Sequence, residues 1–213
     1  MYIGRELKSY GQAEQWNMNP RPAQSPSRWA QLLWTICKLA PAIRFPMHKY
    51  DDAAWHYNGD FPNGLERVHA ATHIGFFLNW CIENNHLSDF QTEESKSDIE
   101  KVKNREMTGV EFLTKNCDER ITDEDLNKIT NRFAQDYYEN DTEFSKTVGC
   151  YTDDYVTFYS KFAVKIKGSE DSIYSVENSW ENYDMLKIVI DMRYKQWIDF
   201  RIDKLDIIVS DGE

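Results

Sequence analysis

The stretch "ATHIGFFLNWCIENN", residues 71–85, decides the fold class of this chain. Its apolar residues recur at helical spacing and form one continuous face, made of Ile74, Phe77, Leu78, Cys81 and Ile82. A second stripe with the same helical spacing lies on the neighbouring face and consists of His73, Phe76 and Trp80. Because both faces are largely apolar, the pattern predicts a central buried helix that the Asn84-Asn85 pair ends.

The chain beyond this helix carries signals for further helices. Three pairs have the spacing of a capping box, in which a hydroxyl and a carboxylate three residues later bind backbone N–H groups at a helix start. These pairs are Ser97 and Glu100, Thr108 and Glu111, and Thr122 and Asp125. A long helix is expected from Trp180 to Phe200, where a polar stripe accompanies apolar faces. We therefore expect shorter helices packed around the central one.

Between residues 161 and 178 the periodicity changes from helical to alternating. The segment "KFAVKIK" (161–167) alternates apolar residues with lysines, apart from Ala163, and "GSEDS" (168–172) has the composition of a turn before "IYSV" (173–176). The predicted fold class is mainly α, a compact helical domain around a central buried helix, with a small β-hairpin near residues 161–176.

The charge of the chain is unevenly distributed. The formal net charge is −11 over 213 residues. Residues 1–46 contain six Lys or Arg and two Glu, a net charge of +4, so the remaining 167 residues carry −15. A body this acidic repels phosphate backbones, which argues against nucleic-acid binding. A basic protein partner is its natural electrostatic complement, and acidity that serves solubility alone is the alternative.

Residues 1–46 also differ from the rest in composition. The segment "NMNPRPAQSPSRW" (17–29) holds three of the six prolines, and a short helix over Ser27–Ala40 would be stopped by Pro41. We predict an N-terminal extension over 1–46 and a single compact domain over 47–213. A membrane-surface helix is the alternative for 27–40, although its basic residues are few.

The cysteines and the apolar runs indicate a cytoplasmic protein. Four cysteines lie more than thirty residues apart without any pair at zinc spacing, at Cys37, Cys81, Cys117 and Cys150. The most apolar run is interrupted by Lys38 and Pro41 and is too short to span a bilayer. No signal peptide, GxSxG, phosphate-binding loop or GxGxxG is found. We therefore expect reduced thiols, no membrane span, no cofactor and no recognisable catalytic set.

Three of the five histidines lie within eighteen positions, at His56, His69 and His73. His69 and His73 are four residues apart at a helix start, which is the spacing that lets two imidazoles share a metal ion. His56, with Asp60 or Asp51, could complete a site with nitrogen and oxygen ligands. The HExxH motif is missing, because position 70 is Ala. The alternative is structural: His56 and His73 would donate hydrogen bonds to backbone groups beside Trp55 and Trp80, both expected to be buried.

A second candidate set lies further along the chain. Tyr151, Tyr155 and Tyr159 stand at i, i+4 and i+8, with Asp153 and Asp154 between them. On a helix these residues would form one face that could anchor a protein partner. The alternative is that the tyrosines pack in the core.

Four segments carry a resemblance to a known family. "KYDDAAWHYNGDFP", "ATHIGFFLNWCIENN", "KNREMTGVEFLTKNCD" and "SWENYDMLKIVIDMRYKQW" resemble a family of small uncharacterised bacterial proteins with WHxxxxFP, THIGxFLxW and WENYD motifs. The likeness spans most of residues 49–199 and leaves residues 1–46 outside. The family implies no transferable activity, and its compact acidic style is similar to that of immunity proteins that neutralise bacterial toxins.

Two functions follow as hypotheses. The first is an immunity-type protein that binds and neutralises a basic toxin through an acidic surface. The second is a metal-dependent enzyme that uses His56, His69 and His73.

Overall fold

The structure, a computed structural model, describes residues 47–169 and 171–210, with side chains up to residue 202. The expected extension 1–46 and its helix 27–40 lie outside these residues. The elements follow in the order β1 Lys49–Asp52, α1 Ala53–Tyr57, a 3-10 helix Arg67–Ala71, α2 Thr72–Glu83, α3 Asp89–Glu94, α4 Lys96–Lys103, α5 Gly109–Asn116, β2 Arg120–Thr122, α6 Lys128–Tyr137, α7 Glu143–Thr147, α8 Tyr151–Lys161, a 3-10 helix Ile173–Ser175 and α9 Trp180–Ser210. The described chain is mainly helical, as predicted.

Helix α2 is the central buried helix that the apolar pattern predicts. Ten of its twelve residues are buried, and Trp80 is 1% exposed while its indole N–H donates to Asp191 at 2.7 Å. The helix ends at Glu83, and Asn85 follows in the left-handed region with φ 58°. This conformation is one that asparagine tolerates well, and it stops the helix where the sequence predicts its end.

The contact between α2 and α5 depends on two glycines. A Cβ on Gly109 would lie 2.0 Å from the carbonyl oxygen of Gly75, and a Cβ on Gly75 would lie 2.5 to 2.7 Å from atoms of Val110. Side chains of any size would therefore force the helices apart. This close approach holds α2 against the rest of the core, where it positions His73.

Helix α9 is 31 residues long and contributes a second buried face to the domain. Its buried apolar residues include Tyr183, Leu186, Ile190 and Trp197. Among the described helices, α9 included, none has both the length and the apolar character that crossing a bilayer requires.

The observed sheet is formed by segments that the sequence patterns do not single out. Strands β1 and β2 pair antiparallel, with Asp51 opposite Ile121 and Asp52 opposite Arg120, and an irregularity falls between Lys49 and Asp51. An irregular register of this kind changes the direction in which neighbouring side chains point. Here it accompanies the burial of Asp51 at 6% exposure.

The β-hairpin expected near residues 161–176 is reduced to an isolated antiparallel bridge between Lys165 and Val176. Helix α8 extends to Lys161, and a 3-10 helix replaces the returning strand. Phe162 and Val164 are exposed, so the apolar face of the alternating segment has no core to cover. Without burial of that face, a two-stranded ribbon gains little stability.

Of the three predicted capping boxes, the one at Thr108 and Glu111 is confirmed, with both reciprocal bonds present. Helix α4 begins at Lys96, so Ser97 lies inside it rather than at its start. Asp125 does accept from the backbone N–H and hydroxyl of Thr122, but it closes a turn, and the next helix is capped by Asn127.

The prediction that Trp55 is buried is wrong. Its side chain is 56% exposed and lies under the Lys49 ammonium, with Nζ 5.0 Å from the ring centroid. Helix α1 has only five residues and turns Ala53 to the core, which leaves Trp55 on the outer side.

Candidate metal centre

Asp51 lies at the middle of the candidate centre. It is the third residue of β1, and its carboxylate accepts hydrogen bonds from the backbone N–H of Asp52 and from the Tyr138 hydroxyl, each at 2.7 Å. Burial raises the pKa of its carboxyl, but hydrogen bonds from His56 and His73 lower the pKa by more, to well below the usual range. Asp51 is therefore a charged carboxylate inside the domain.

His56 reaches this carboxylate from α1, directly after β1. The side chain of Asp52 caps α1 by accepting the backbone N–H of Ala54, so the helix begins at Ala53, two residues after Asp51. His56 Nε2 lies 2.7 Å from Asp51 Oδ1, and its Nδ1 lies 3.1 Å from the Tyr174 hydroxyl. Because α1 starts directly after β1, residues 51 and 56 lie close together.

His73 is the second residue of the central helix α2 and reaches the carboxylate from there. Its Nε2 lies 3.1 Å from Asp51 Oδ2 and 3.2 Å from His56 Nε2, and the two imidazole rings meet edge to face at 82°. The carbonyl oxygen of His73 accepts from the Tyr151 hydroxyl at 2.6 Å. The side chain is 12% exposed, compared with 24% for His56.

The three side chains bring two imidazole nitrogens and a carboxylate within 3.2 Å of one another. If both Nε2 atoms carry hydrogens, each can donate to its own oxygen of Asp51, with the two nitrogens side by side at 3.2 Å; if one lacks its hydrogen, that nitrogen offers a lone pair beside the carboxylate. A cation placed among them would accept a lone pair from all three. Ligands about 2.1 Å from a tetrahedral or octahedral ion lie about 3.0 to 3.4 Å apart, close to the observed spacing.

Within the described part of the chain, Asp51, His56 and His73 are the group of His, Cys, Asp and Glu side chains whose donor atoms come close enough to share an ion. Tyrosines that no sequence motif indicates form hydrogen bonds with these side chains. Tyr138 donates to the ligand carboxylate, and burial and the negative charge of Asp51 raise its pKa, so the phenol keeps its proton. These outer residues lie far along the chain, Tyr138 directly after α6 and Tyr174 in the 3-10 helix at 173–175.

His69 and Asp60, which the sequence suggests as further ligands, do not belong to this group. His69 lies in a 3-10 helix, and the α-helix begins only at Thr72. In a 3-10 helix residues three apart face the same way, so the i, i+4 spacing of His69 and His73 no longer places both rings on one side. His69 Nδ1 is buried without a hydrogen-bond partner among the described residues, and Asp60 is exposed.

The structural alternative for the histidines also needs correction. His56 and His73 do not bind backbone groups beside the tryptophans; they contact a carboxylate and one another. The sequence suggests Asp51 only as one possible further ligand, but its carboxylate contacts both His56 and His73.

The tyrosines proposed as a partner-binding face lie in the core. Tyr151, Tyr155 and Tyr159 are 1%, 3% and 9% exposed, so they cannot act as surface anchors. Asp154 binds the Arg193 guanidinium through both oxygens at 2.7 and 2.8 Å, while Asp153 is exposed. Helix α8 therefore presents acidic and polar residues outward and packs its aromatic stripe inward, as amphipathic helices do.

A search of the curated proteins finds no match to this chain, and a search of the solved structures finds none either. A family model described as a domain of unknown function (DUF7832) matches residues 49–167. The matched range begins at β1, contains Asp51, His56 and His73, and stops before the WENYD segment at 180–184. Since the match covers more than half of the sequence, the chain belongs to the DUF7832 family of domains of unknown function.

Proposed function

We propose that the protein is a metal-dependent enzyme whose ion is held by His56, His73 and Asp51. The observation that carries the proposal is the convergence of two imidazole nitrogens and a buried carboxylate at 2.7 to 3.2 Å from one another. Two imidazoles and a carboxylate bind zinc in hydrolytic enzymes and iron(II) in oxygen-dependent ones. This replaces the ligand set of His56, His69 and His73 that the sequence suggests.

The number of protein ligands favours a catalytic centre over a structural one. Structural zinc sites are closed by four protein ligands, whereas catalytic sites use three and leave a position for water. A bound divalent ion lowers the pKa of that water and makes it a nucleophile at neutral pH. We propose metal-assisted hydrolysis as the reaction class, with access from the side of His56, the more exposed of the two histidines.

The test compares two histidine variants that the structure separates. The full chain, His73→Asn and His69→Asn are purified without chelator, reconstituted with zinc or, under anaerobic conditions, iron(II), and analysed for bound metal after gel filtration. We expect about one ion per chain in the parent and in His69→Asn, and loss of the ion in His73→Asn with unchanged helical content. A parent protein that retains neither metal would overturn the proposal.

A second function is favoured by the charge of the chain. We also propose that the protein binds a basic protein partner, as an immunity protein binds a toxin, because residues 47–213 carry −15 and long-range attraction speeds encounter. Exposed Ile188 and Met192 on α9 would add apolar contacts. The described cysteines, Cys81, Cys117 and Cys150, are buried free thiols, which agrees with a cytoplasmic setting for this role.

The partner proposal has its own experiment. The chain is co-expressed with the product of the neighbouring gene, and growth and complex formation are measured. Rescue of growth with a complex whose association rate falls as salt rises would support it. Absence of any complex would sink it and would leave the metal proposal standing.

A further inference from the structure

We infer that Tyr138 and Tyr174 are positioning residues of the metal centre, Tyr138 by orienting the Asp51 carboxylate and Tyr174 by holding the His56 ring through its Nδ1. The inference rests on the proposed metal centre and adds the residues that set its affinity. Each tyrosine contacts a proposed ligand, Tyr138 the Asp51 carboxylate and Tyr174 the His56 ring.

Tyr138 controls the orientation of the carboxylate. Its hydroxyl donates to Asp51 Oδ2 at 2.7 Å, and its ring is stacked on Tyr151 with centroids 4.9 Å apart and planes at 27°. Phe77 packs against the same ring edge to face at 5.2 Å. A phenol held between two aromatic rings has few other places for its hydroxyl, so the carboxylate it binds is held in one rotamer.

Tyr174 contacts the His56 nitrogen that points away from the carboxylate. An imidazole that binds a metal through Nε2 must carry its hydrogen on Nδ1, and this hydrogen needs an acceptor. The Tyr174 hydroxyl oxygen lies 3.1 Å from His56 Nδ1 and can accept it. The Tyr174 ring packs on Phe61 with centroids 5.0 Å apart, which ties the 3-10 helix at 173–175 to the loop that follows α1.

The expected effect follows from the way outer residues act on metal sites. Loss of an outer hydrogen-bond partner typically weakens metal affinity by about 10- to 100-fold, because the ligand side chain gains rotational freedom. We expect Tyr138→Phe and Tyr174→Phe each to weaken zinc binding in this range. Both substitutions keep the ring and remove only the hydroxyl.

The chain offers a matched control in the neighbouring residue. Tyr137 is also buried on α6, and its hydroxyl donates at 2.9 Å to a carboxylate, that of Asp154, outside the centre. Tyr137→Phe thus removes the same kind of bond without touching a proposed ligand. We expect its zinc affinity to stay within about 3-fold of the parent.

The experiment measures zinc affinity of the full chain by competition with a chromophoric chelator, for the parent and the three Phe variants. Thermal stability of the metal-free proteins is recorded in parallel, because a merely structural role would lower stability in all three variants and leave the affinities alike. The absorption spectrum of bound cobalt(II) reports the coordination geometry, which we expect to change in Tyr138→Phe and not in Tyr137→Phe. Equal affinity in Tyr138→Phe, Tyr174→Phe and Tyr137→Phe would overturn the inference, whereas a parent that binds no zinc would instead remove the proposed function.

Discussion

At the scale of single residues, the unusual feature is one buried aspartate shared by two histidines. A buried carboxylate is stabilised only if donors surround it, and Asp51 has donors from the backbone, a phenol and two imidazoles. An asparagine could keep the shape but not the charge. The state of this single group should therefore be visible in the stability of the whole domain.

The pH dependence of stability tests the charge on Asp51. Its pKa is lowered in the folded protein, whereas an unfolded aspartate has a pKa of about 3.9. A lowered pKa contributes stability that is present above the unfolded value and is lost as the pH falls toward the folded value. In urea unfolding with chelator present, we expect Asp51→Asn to be less stable than the parent near neutral pH, with a difference that shrinks below about pH 4. A difference that stays constant through this range would contradict the assignment.

The two tryptophans of the matched segments should respond very differently to truncation. Trp80 is 1% exposed and fills the core between Phe77, Phe133 and Tyr194, so Trp80→Ala should cost about 3 to 5 kcal/mol of unfolding free energy. Trp55 is 56% exposed, and Trp55→Ala should cost less than about 1 kcal/mol. Chemical denaturation of both variants measures the difference. Similar losses would show that Trp55 is covered in solution.

At the scale of elements, the crossing of α2 and α5 holds the helix that carries His73. The two backbones approach so closely at Gly75 and Gly109 that each lies in contact with the chain of the other helix. Backbone contact of this kind is rigid, because no change of side-chain rotamer can relieve the clash that an added Cβ would cause.

Gly75→Ala should therefore destabilise the domain by about 1 to 3 kcal/mol, since the new Cβ would lie within 2.7 Å of the Val110 backbone. The double variant Gly75→Ala with Val110→Ala separates side-chain from backbone crowding. We expect it not to recover, because the Val110 nitrogen and Cα, at 2.6 and 2.7 Å, remain. Full recovery in thermal unfolding would mean that only the valine methyl was in the way.

The elements differ in how well the sequence predicts them, for physical reasons. Helix α2 follows from local periodicity, and its burial from apolar residues on both faces. Strands β1 and β2 are four and three residues long and pair across about seventy positions, so neither shows a local pattern. The alternating segment at 161–167 shows the pattern but lacks a core to cover, and forms only a bridge.

The sequence predicts those site residues that lie close together along the chain, but not those that only the fold brings in. His56 and His73 stand out as two of three histidines in a short stretch, and Asp51 precedes them by 5 and 22 residues. The pairing of His69 with His73 failed because the chain is a 3-10 helix at His69, which residue spacing does not reveal. Tyr138 and Tyr174 lie 87 and 118 residues from the groups they contact, so only the folded chain brings them in.

At the scale of the whole molecule, the candidate metal centre is built from residues of several elements of the domain. Its donors come from β1, α1 and α2, and its supporting tyrosines from the residue directly after α6 and from the 3-10 helix at 173–175. A ligand that binds only the folded chain stabilises it, by about 2.7 kcal/mol at a free concentration of 100 times Kd. An ion in this position would thus link β1, α1 and α2, which all lie near the start of the matched range.

The most direct measurement of the central claim is X-ray absorption at the zinc edge of the reconstituted full chain. The account predicts a first shell of nitrogen and oxygen atoms at about 2.0 to 2.2 Å with scattering from two imidazoles in the parent, and no zinc edge in His73→Asn, which loses the ion. A first shell containing sulfur at about 2.3 Å, or a parent spectrum that His73→Asn leaves unchanged, would contradict it.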